Sequence, residues 1–280
     1  MSKTKKTFIY HHLGLGDHIA CNGLVRTILQ KNKKHTFHIF CKDIFYKSIK
    51  FMYRDLNRLR IIPVKTKNNA DKEVIKILSK IKKKHKIIKI GFENFEIMHK
   101  EMYSPKNPIT FDMIFYNQLK IDYEKRFSKC YWKRDHKKEK KVFKSLTKKN
   151  KKYAFIHDDE SLGYKIDDNF VDKDLTIIRN NKKENIFNMG KLIEEASELH
   201  LMESSIRNMS ETLNIKAKKL FLYIWRRKEV APVYSIKRNK VIGTQKNWKI
   251  IFMNPKKKNI NFFILDFLLK LKFYFLALIK

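Results

Sequence analysis

The chain has 280 residues, of which 43% are hydrophobic and 33% are charged, and its formal net charge is +36. This apolar content excludes an intrinsically disordered chain, and the length allows one large or two modest domains. Lys supplies 53 of the 64 basic residues and is spread along the whole chain, whereas specific recognition of bases and phosphates relies on Arg. We therefore attribute most of the charge to the codon bias of an AT-rich genome, with some attraction to anionic lipids or phosphorylated substrates.

The three cysteines, Cys21, Cys41 and Cys130, form no CxxC pair. An odd number of scattered thiols fits a reducing compartment and argues against a disulfide scaffold or a zinc site. The basic N-terminus lacks the apolar run of a signal peptide before the first predicted strand. We therefore expect a cytoplasmic protein.

The first half of the chain alternates strand-like runs with segments whose apolar residues recur at helical spacing. Strand, helix, strand, helix is the pattern of a parallel sheet with right-handed crossovers. The sequence predicts strands over 7–13, 36–42, 59–64 and 86–92, with helices over 17–31, 43–56, 70–83 and 111–120.

A basic run over 133–152 is predicted to form a helix and a connector, and a second strand–helix series follows it. We therefore predict an α/β fold with two Rossmann-like domains, residues 1–145 and residues 146–255. In the second series the sequence predicts strands over 153–158, 175–179, 199–203 and 219–225, with helices over 186–198 and 204–214.

Residues 256–280 are predicted to form an apolar C-terminal helix. The run 261–279 contains Asp266, Lys270 and Lys272, and three charges argue against a helix that spans a membrane. Its basic flank and its aromatic residues fit a helix that lies in the lipid headgroup region. Packing on the domain core fits equally well, because the charges do not fall on one face.

The stretch YHHLGLGDHIACNGLVRTI, residues 10–28, places two of the seven glycines at a predicted strand-to-helix turn. Ligands of open parallel sheets bind at the carboxyl ends of strands, and Gly14 and Gly16 allow a tight turn with bare backbone. Asp17 is predicted to be the N-cap of a helix that starts near His18. A capping Asp stabilises a helix without any ligand, so this pattern alone does not require a site.

A nicotinamide cofactor is not expected at this turn. Ile19 stands where the dinucleotide-binding fingerprint has its third Gly, and no acidic residue follows about twenty positions on. His11 and His12 flank the turn and could position an acceptor or a phosphate. A buried strand His next to a surface His is the alternative interpretation.

The segment LGLGDHIACNGLVRTI resembles the N-terminal signature of bacterial ADP-heptose:lipopolysaccharide heptosyltransferases. In that family a first strand runs into Leu-Gly-Asp, and a helix with an apolar Leu-Arg pair follows. Gly16 and Asp17 carry the motif, and the similarity covers roughly twenty residues. The resemblance implies a GT-B fold, with two domains that face a cleft, and it implies that Asp17 is the base that deprotonates the acceptor hydroxyl.

The second half carries a partial counterpart of the donor site of that family. Segment 192–213 has the helix–strand–turn–helix order in which the family holds the donor diphosphate. Glu203, Ser204 and Ser205 form the turn, and Arg207 would add a positive charge. The family usually has Asp-Ser-Gly followed by His, so this chain departs from the pattern, and a capping Ser also explains the turn.

Segment 155–165 is similar to the loop after the first strand of the family's nucleotide-binding domain, where a Lys often contacts phosphate. The resemblance implies that role for Lys165. A helix N-terminus supplies N–H groups and a dipole without a metal. The implied activity is therefore metal-independent transfer of a sugar to a cell-surface glycan or lipid-linked acceptor, as in lipopolysaccharide biosynthesis. A nucleotide sugar would be the co-substrate, with no other cofactor, and the enzyme would be peripheral to the inner membrane.

Other functions fit parts of the sequence. A Ser-Ser turn before a nucleotide-contacting helix also occurs in fucosyltransferases, which would make GDP-fucose the donor, but IHDDES replaces their basic HxRxGD segment. Asp172–Asp174 matches the D-x-D of metal-dependent glycosyltransferases, although a turn before a strand explains it. The chain has no HExxH and no His/Cys cluster, so we expect no metal. The net charge alone would fit a non-enzymatic nucleic-acid-binding protein, whereas the leading hypothesis expects no specific nucleic acid.

Overall fold

The computed structural model describes residues 5–91, 109–147, 151–225, 234–235 and 240–253. These residues form two parallel sheets with helices packed against them, and a separate antiparallel pair of short strands, Tyr234–Ser235 with Lys240–Val241. We call the part built on the first sheet the first lobe and the part built on the second sheet the second lobe. The predicted α/β class, with two Rossmann-like domains in a GT-B-like fold, is confirmed.

The first sheet has the strand order β3-β2-β1-β4, and its strands are parallel. The chain leaves β1 toward β2 on one side and later returns to β4 on the other side. The carboxyl end of β1 is therefore the topological switch point, where sheets of this kind bind ligands. The elements are β1 (Lys6–Tyr10), α1 (Leu15–Ala20), α2 (Asn22–Lys31), β2 (Thr36–Lys42), α3 (Tyr46–Met52), β3 (Leu59–Val64), α4 (Ala70–Ser79), β4 (Lys86–Lys89), α5 (Phe111–Gln118) and α6 (Lys125–Ser128).

The second sheet has the order β11-β8-β7-β5-β6 and is also parallel. Its switch point lies between β5 and β7, so the turn after β7 occupies the position that corresponds to the end of β1. The elements are α7 (His136–Leu146), β5 (Tyr153–His157), β6 (Thr176–Arg179), α8 (Gly190–Glu194), β7 (Glu198–Met202), α9 (Ser205–Ser210), β8 (Lys219–Ile224), β9 (Tyr234–Ser235), β10 (Lys240–Val241) and β11 (Lys249–Phe252).

The single helix predicted over 17–31 is two helices that meet at Cys21. The cause is Tyr116, whose buried hydroxyl donates to the Ala20 carbonyl at 2.9 Å and accepts from the Leu24 N–H at 3.0 Å. This hydroxyl therefore stands in place of the backbone hydrogen bond between those two residues, and such an insertion bends a helix.

The helix predicted over 204–214 is also shorter than expected and ends at Ser210. Its last turn contains hydroxyls that compete with the backbone. Ser210 donates to the Arg207 carbonyl at 2.7 Å, and Thr212 donates to the Met209 carbonyl at 2.9 Å. The helix predicted over 186–198 is a 3-10 turn, Ile186–Met189, followed by the short α8.

One apolar core runs through both lobes. Phe187 of the second lobe is fully buried. Its ring lies 5.9 Å from Phe51 of α3 and 5.2 Å from Trp132, measured between centroids. Because the same ring packs on both lobes, we infer that the lobes unfold together.

Helix α7 packs against α8 of the second lobe. Arg134, just before α7, pairs with Glu139 of α7 and with Glu194 of α8. Contacts of the second lobe thus extend to residues before the predicted boundary at 145/146, which stays a prediction.

The predicted C-terminal helix, 256–280, lies outside the described residues. Among the helices in the described ranges, none combines the length and the apolar character needed to cross a bilayer.

Replacing Phe187 by Ala should lower the free energy of unfolding by about 3–5 kcal/mol, because it removes a buried ring that packs on both lobes. Urea unfolding followed by near- and far-UV circular dichroism should still give one transition. Phe170→Ala is the matched control, since Phe170 is 46% exposed, and it should cost less than about 1 kcal/mol. Two separate transitions in the wild type would contradict a shared core.

Candidate functional site

The turn after β1 differs from the sequence prediction in one respect. Helix α1 begins at Leu15 with Gly14 as its N-cap, so Asp17 is the third residue of the helix and not the cap of a helix that starts near His18. The Asp17 carboxylate folds back over the Gly14 backbone. A Cβ at position 14 would lie 2.6 Å from Asp17 Oδ2, so Gly14 leaves the space that this carboxylate occupies.

Gly16 serves a different purpose, because it faces the second lobe. A Cβ at position 16 would lie 3.3 Å from Asn208 Nδ2 and 3.7 Å from the Ser205 backbone N. Asn208 Nδ2 donates to the Gly16 carbonyl at 3.1 Å. The turn that carries Asp17 and the first turn of α9 therefore lie in direct contact.

The environment of Asp17 disfavours its charged form. Burial is the largest influence and raises its pKa. His12 and the Gly14 N–H act in the opposite direction, Asp112 adds a like charge that raises the pKa, and Lys42 lowers it, with a net shift upward. A carboxylate with a raised pKa binds a proton more readily, which suits a general base.

The turn after β7 is built by the predicted donor residues. Ser204 is the N-cap of α9, and its hydroxyl accepts the Arg207 N–H at 3.4 Å. Glu203 and Ser205 flank it and are half-buried. The capping interpretation of Ser204 is therefore confirmed, and the contact of this turn with a phosphate stays a prediction.

Arg207 points into the molecule and is 4% exposed. Its guanidinium donates to Asn208 Oδ1 at 3.1 Å and lies 3.2 Å from the Glu211 carboxylate. Glu211 also accepts from Trp248 Nε1 at 2.9 Å and from the Thr244 hydroxyl at 2.7 Å. Arg207 therefore connects α9 to Glu211, which follows it. Its contact with the donor stays a prediction.

Lys165 lies in the loop after β5, next to β7 in the sheet, and is exposed. Its Nζ is 3.1 Å from a Glu160 carboxylate oxygen. The basic side chains at the carboxyl edge of the second sheet are therefore paired with acidic side chains. The other pairs here are Arg179 with Asp158 and Lys182 with Asp159.

The two histidines of the turn differ in burial. His11 is 1% exposed, and burial lowers its pKa to about 4, so it is neutral near pH 7. Its ring centroid lies 4.3 Å from that of His18. His12 is half-buried, with Nε2 3.2 Å from the Gly91 carbonyl and its ring 4.7 Å from Phe111. Of the two, His12 is the one whose charge lowers the pKa of Asp17.

Sequence reasoning missed three residues at this contact, Asp112, Arg126 and Asn208. Arg126 of α6 is 3% exposed, pairs with Asp112 of α5, and donates to Asn208 Oδ1 at 3.0 Å. Burial alone would raise the pKa of Asp112, but Arg126 and further donors hold it below its usual range. The scarcity of Arg in a Lys-rich chain was the available signal. Of the eight arginines in the described ranges, five form ion pairs with a buried or half-buried partner: Arg26, Arg126, Arg134, Arg179 and Arg207.

Two other features do not form part of this site. Asp172 accepts the Asp174 N–H at 3.2 Å and pairs with Lys219, so the D-x-D is a turn before β6. Within the described ranges, no three His, Cys, Asp or Glu side chains are grouped to hold a metal.

A cavity of about 640 Å³ lies between the end of α2 and the start of β3, away from the carboxyl edge of the first sheet.

No protein-family model and no curated protein matches the chain in sequence. The chain is similar in fold to the crystal structure of a glycosyl transferase family 9 protein from Veillonella parvula DSM 2008. The TM-score is 0.50 and the identity 9%, over 89% of this chain and 86% of that one. This similarity confirms the fold that the resemblance implies.

Two E. coli structures show weaker similarity. ADP-heptose lps heptosyltransferase II gives a TM-score of 0.41 and 8% identity, over 95% of this chain and 98% of that one. Heptosyltransferase WaaC with ADP gives a TM-score of 0.43 and 10% identity, over 95% and 99%.

The raised pKa of Asp17 predicts how Asp17→Asn changes stability with pH. Between the unfolded value of about 3.9 and the higher folded value, the native state binds more protons than the unfolded state, so wild-type stability falls as pH rises. The Asn variant lacks this loss. Its melting temperature relative to wild type should therefore rise above about pH 4 and level off beyond the folded pKa.

Asp112→Asn is the matched contrast, because the folded pKa of Asp112 is lowered. Wild type gains stability over this variant as pH rises toward the unfolded value, so the stability differences of the two variants from wild type should change with pH in opposite directions. Melting curves from pH 3 to 8 test both. An Asp17→Asn difference that stays flat over this range would contradict a strained Asp17.

Proposed function

We propose that the chain is a glycosyltransferase that moves a sugar from a nucleotide-diphosphate donor to a cell-surface glycan or a lipid-linked acceptor. The observation that carries this proposal is the contact between two turns. Gly16 and Asp17 follow the switch point of one sheet, and Ser204 and Ser205 follow β7 at the switch point of the other. A base and a diphosphate site are the two groups that sugar transfer requires close together.

Asp17 acts as the base in this proposal. As the acceptor oxygen bonds to the anomeric carbon, its proton passes to the Asp17 carboxylate, and the bond from that carbon to the diphosphate breaks with its electron pair on the phosphate oxygen. Burial raises the pKa of Asp17, which increases its affinity for the transferred proton at neutral pH. The backbone of Gly14 lies beside the carboxylate and favours its charged form.

The leaving diphosphate needs positive potential and hydrogen-bond donors. The Ser205 N–H and the Ser204 and Ser205 hydroxyls stand at the turn beside Gly16. Two lysines would supply positive charge, one from each lobe. Lys42 of the first lobe lies close enough to Asp17 to lower its pKa, and Lys165 of the second lobe is exposed. Because side chains and backbone N–H groups fill these roles, we propose transfer without a metal and without a further cofactor.

The charge of the chain supports the proposed acceptor and location. With a net charge of +36, the surface attracts phosphorylated glycans and anionic lipids. We therefore propose a cytoplasmic enzyme that works at the inner membrane on a lipid-linked or lipopolysaccharide-type acceptor.

ADP, GDP and UDP, each at 1–5 mM, should be tested as ligands in a melting assay. A nucleotide that binds only the folded state stabilises it by about 2.7 kcal/mol at a hundred times its dissociation constant, and for a chain of this size that is roughly 5–10 °C. Inorganic phosphate is the control. If no nucleotide raises the midpoint and a DNA oligonucleotide binds with steep salt dependence, the nucleic-acid alternative replaces this proposal.

Asp17→Asn should lower transfer by at least about a hundredfold, because the base is lost, while the nucleotide that protects wild type protects the variant equally. The measurement is nucleotide release from the donor sugar in the presence of acceptor. Asp174→Asn, which removes an exposed carboxylate in the second lobe, should keep wild-type turnover. Turnover of Asp17→Asn within threefold of wild type would exclude Asp17 as the base.

A further inference from the structure

Asn208 joins three helices at the contact between the lobes. Its Nδ2 donates to the Gly16 carbonyl of α1 at 3.1 Å. Its Oδ1 accepts from Arg126 of α6 at 3.0 Å and from Arg207 of α9 at 3.1 Å. One side chain thus connects the turn of Asp17 with the helix that begins at Ser204.

The two arginines fix which way the Asn208 amide faces. Guanidinium groups donate and never accept, so the amide oxygen must point toward both of them. The NH2 group is then directed at Gly16. Charge-assisted bonds are stronger than neutral ones, so this orientation is held more firmly than that of a surface amide.

Each arginine is itself held by a carboxylate. Arg126 pairs with Asp112, which also accepts the Tyr123 hydroxyl at 3.0 Å. Arg207 lies 3.2 Å from Glu211. Both arginine side chains are at most 5% exposed, and removing one partner of a buried ion pair is costly because it leaves an uncompensated charge. The orientation of Asn208 therefore depends on anchors in both lobes.

We propose that Asn208 is a positioning residue: its amide holds the Gly16–Asp17 turn against the start of α9 and so sets the distance between the base and the diphosphate turn. This inference rests on the proposed function. A displacement of about 1 Å at such a site costs roughly a hundredfold in rate. Since the hydrogen bond is to the backbone of Gly16, it fixes the residue next to Asp17 without touching the carboxylate.

Asn208→Asp is the sharpest test. The carboxylate keeps an acceptor for both arginines but replaces the N–H donor by an oxygen, which repels the Gly16 carbonyl. We expect the melting temperature to stay within about 5 °C of wild type, kcat to fall at least tenfold, and KM for the donor to change less than threefold. Asn214→Asp, an exposed position in the same lobe, is the control and should leave kcat unchanged.

Wild-type kcat in Asn208→Asp would overturn the proposal, and so would a loss confined to donor KM. If Asn208→Asp does not fold, Asn208→Ala, which removes the donor without adding charge, is judged by the same criteria.

A second readout separates this inference from the proposed function. Amide hydrogen exchange of residues 14–20 should be faster in Asn208→Asp than in wild type, while exchange in α2 (Asn22–Lys31) and in the Asn214→Asp control stays unchanged. If wild type transfers no sugar but exchange over 14–20 rises, the proposed function fails and the role of Asn208 in holding the turn stands. Unchanged exchange over 14–20 would overturn that role.

Discussion

The close approach of α1 and α9 at Gly16 is the constraint on which the site depends. A Cβ at position 16 would lie 3.3 Å from Asn208 Nδ2, so the Asn208 amide that donates to the Gly16 carbonyl would have to shift. Gly14 acts within the first lobe, because its missing Cβ leaves room for the Asp17 carboxylate. The two glycines therefore have different tasks, one between the lobes and one within a single turn.

Charge is distributed in two ways in this chain. Arginines of the interior are paired, as Arg126 is with Asp112 and Arg207 with Glu211, whereas Asp17 is placed where burial raises its pKa. The pairs fix the helices around the turn, and the carboxylate they surround is held in an environment that disfavours its charge. Such a division, in which a stable surround supports one strained group, is typical of functional sites.

Local patterns could predict most strands, because β-branched runs such as 36–42 and 59–64 alternate with helical periodicity. They could not predict the break at Cys21, since the hydroxyl that causes it belongs to Tyr116, 96 residues from Ala20 in the sequence. The Gly16–Asp17 turn was found from its residues alone. Asn208 was not, because its partner Gly16 lies 192 residues away and only the folded chain brings the two together.

The topology explains why these two turns meet. Each sheet changes direction once, between β1 and β4 in the first lobe and between β5 and β7 in the second, and a crevice forms outside the strands at such a point. When two sheets of this kind pack through one apolar core around Phe187, their crevices can share a single volume. In the proposed transfer each lobe would hold one of the two substrates, and the hydrogen bond from Asn208 to Gly16 would set the distance between them.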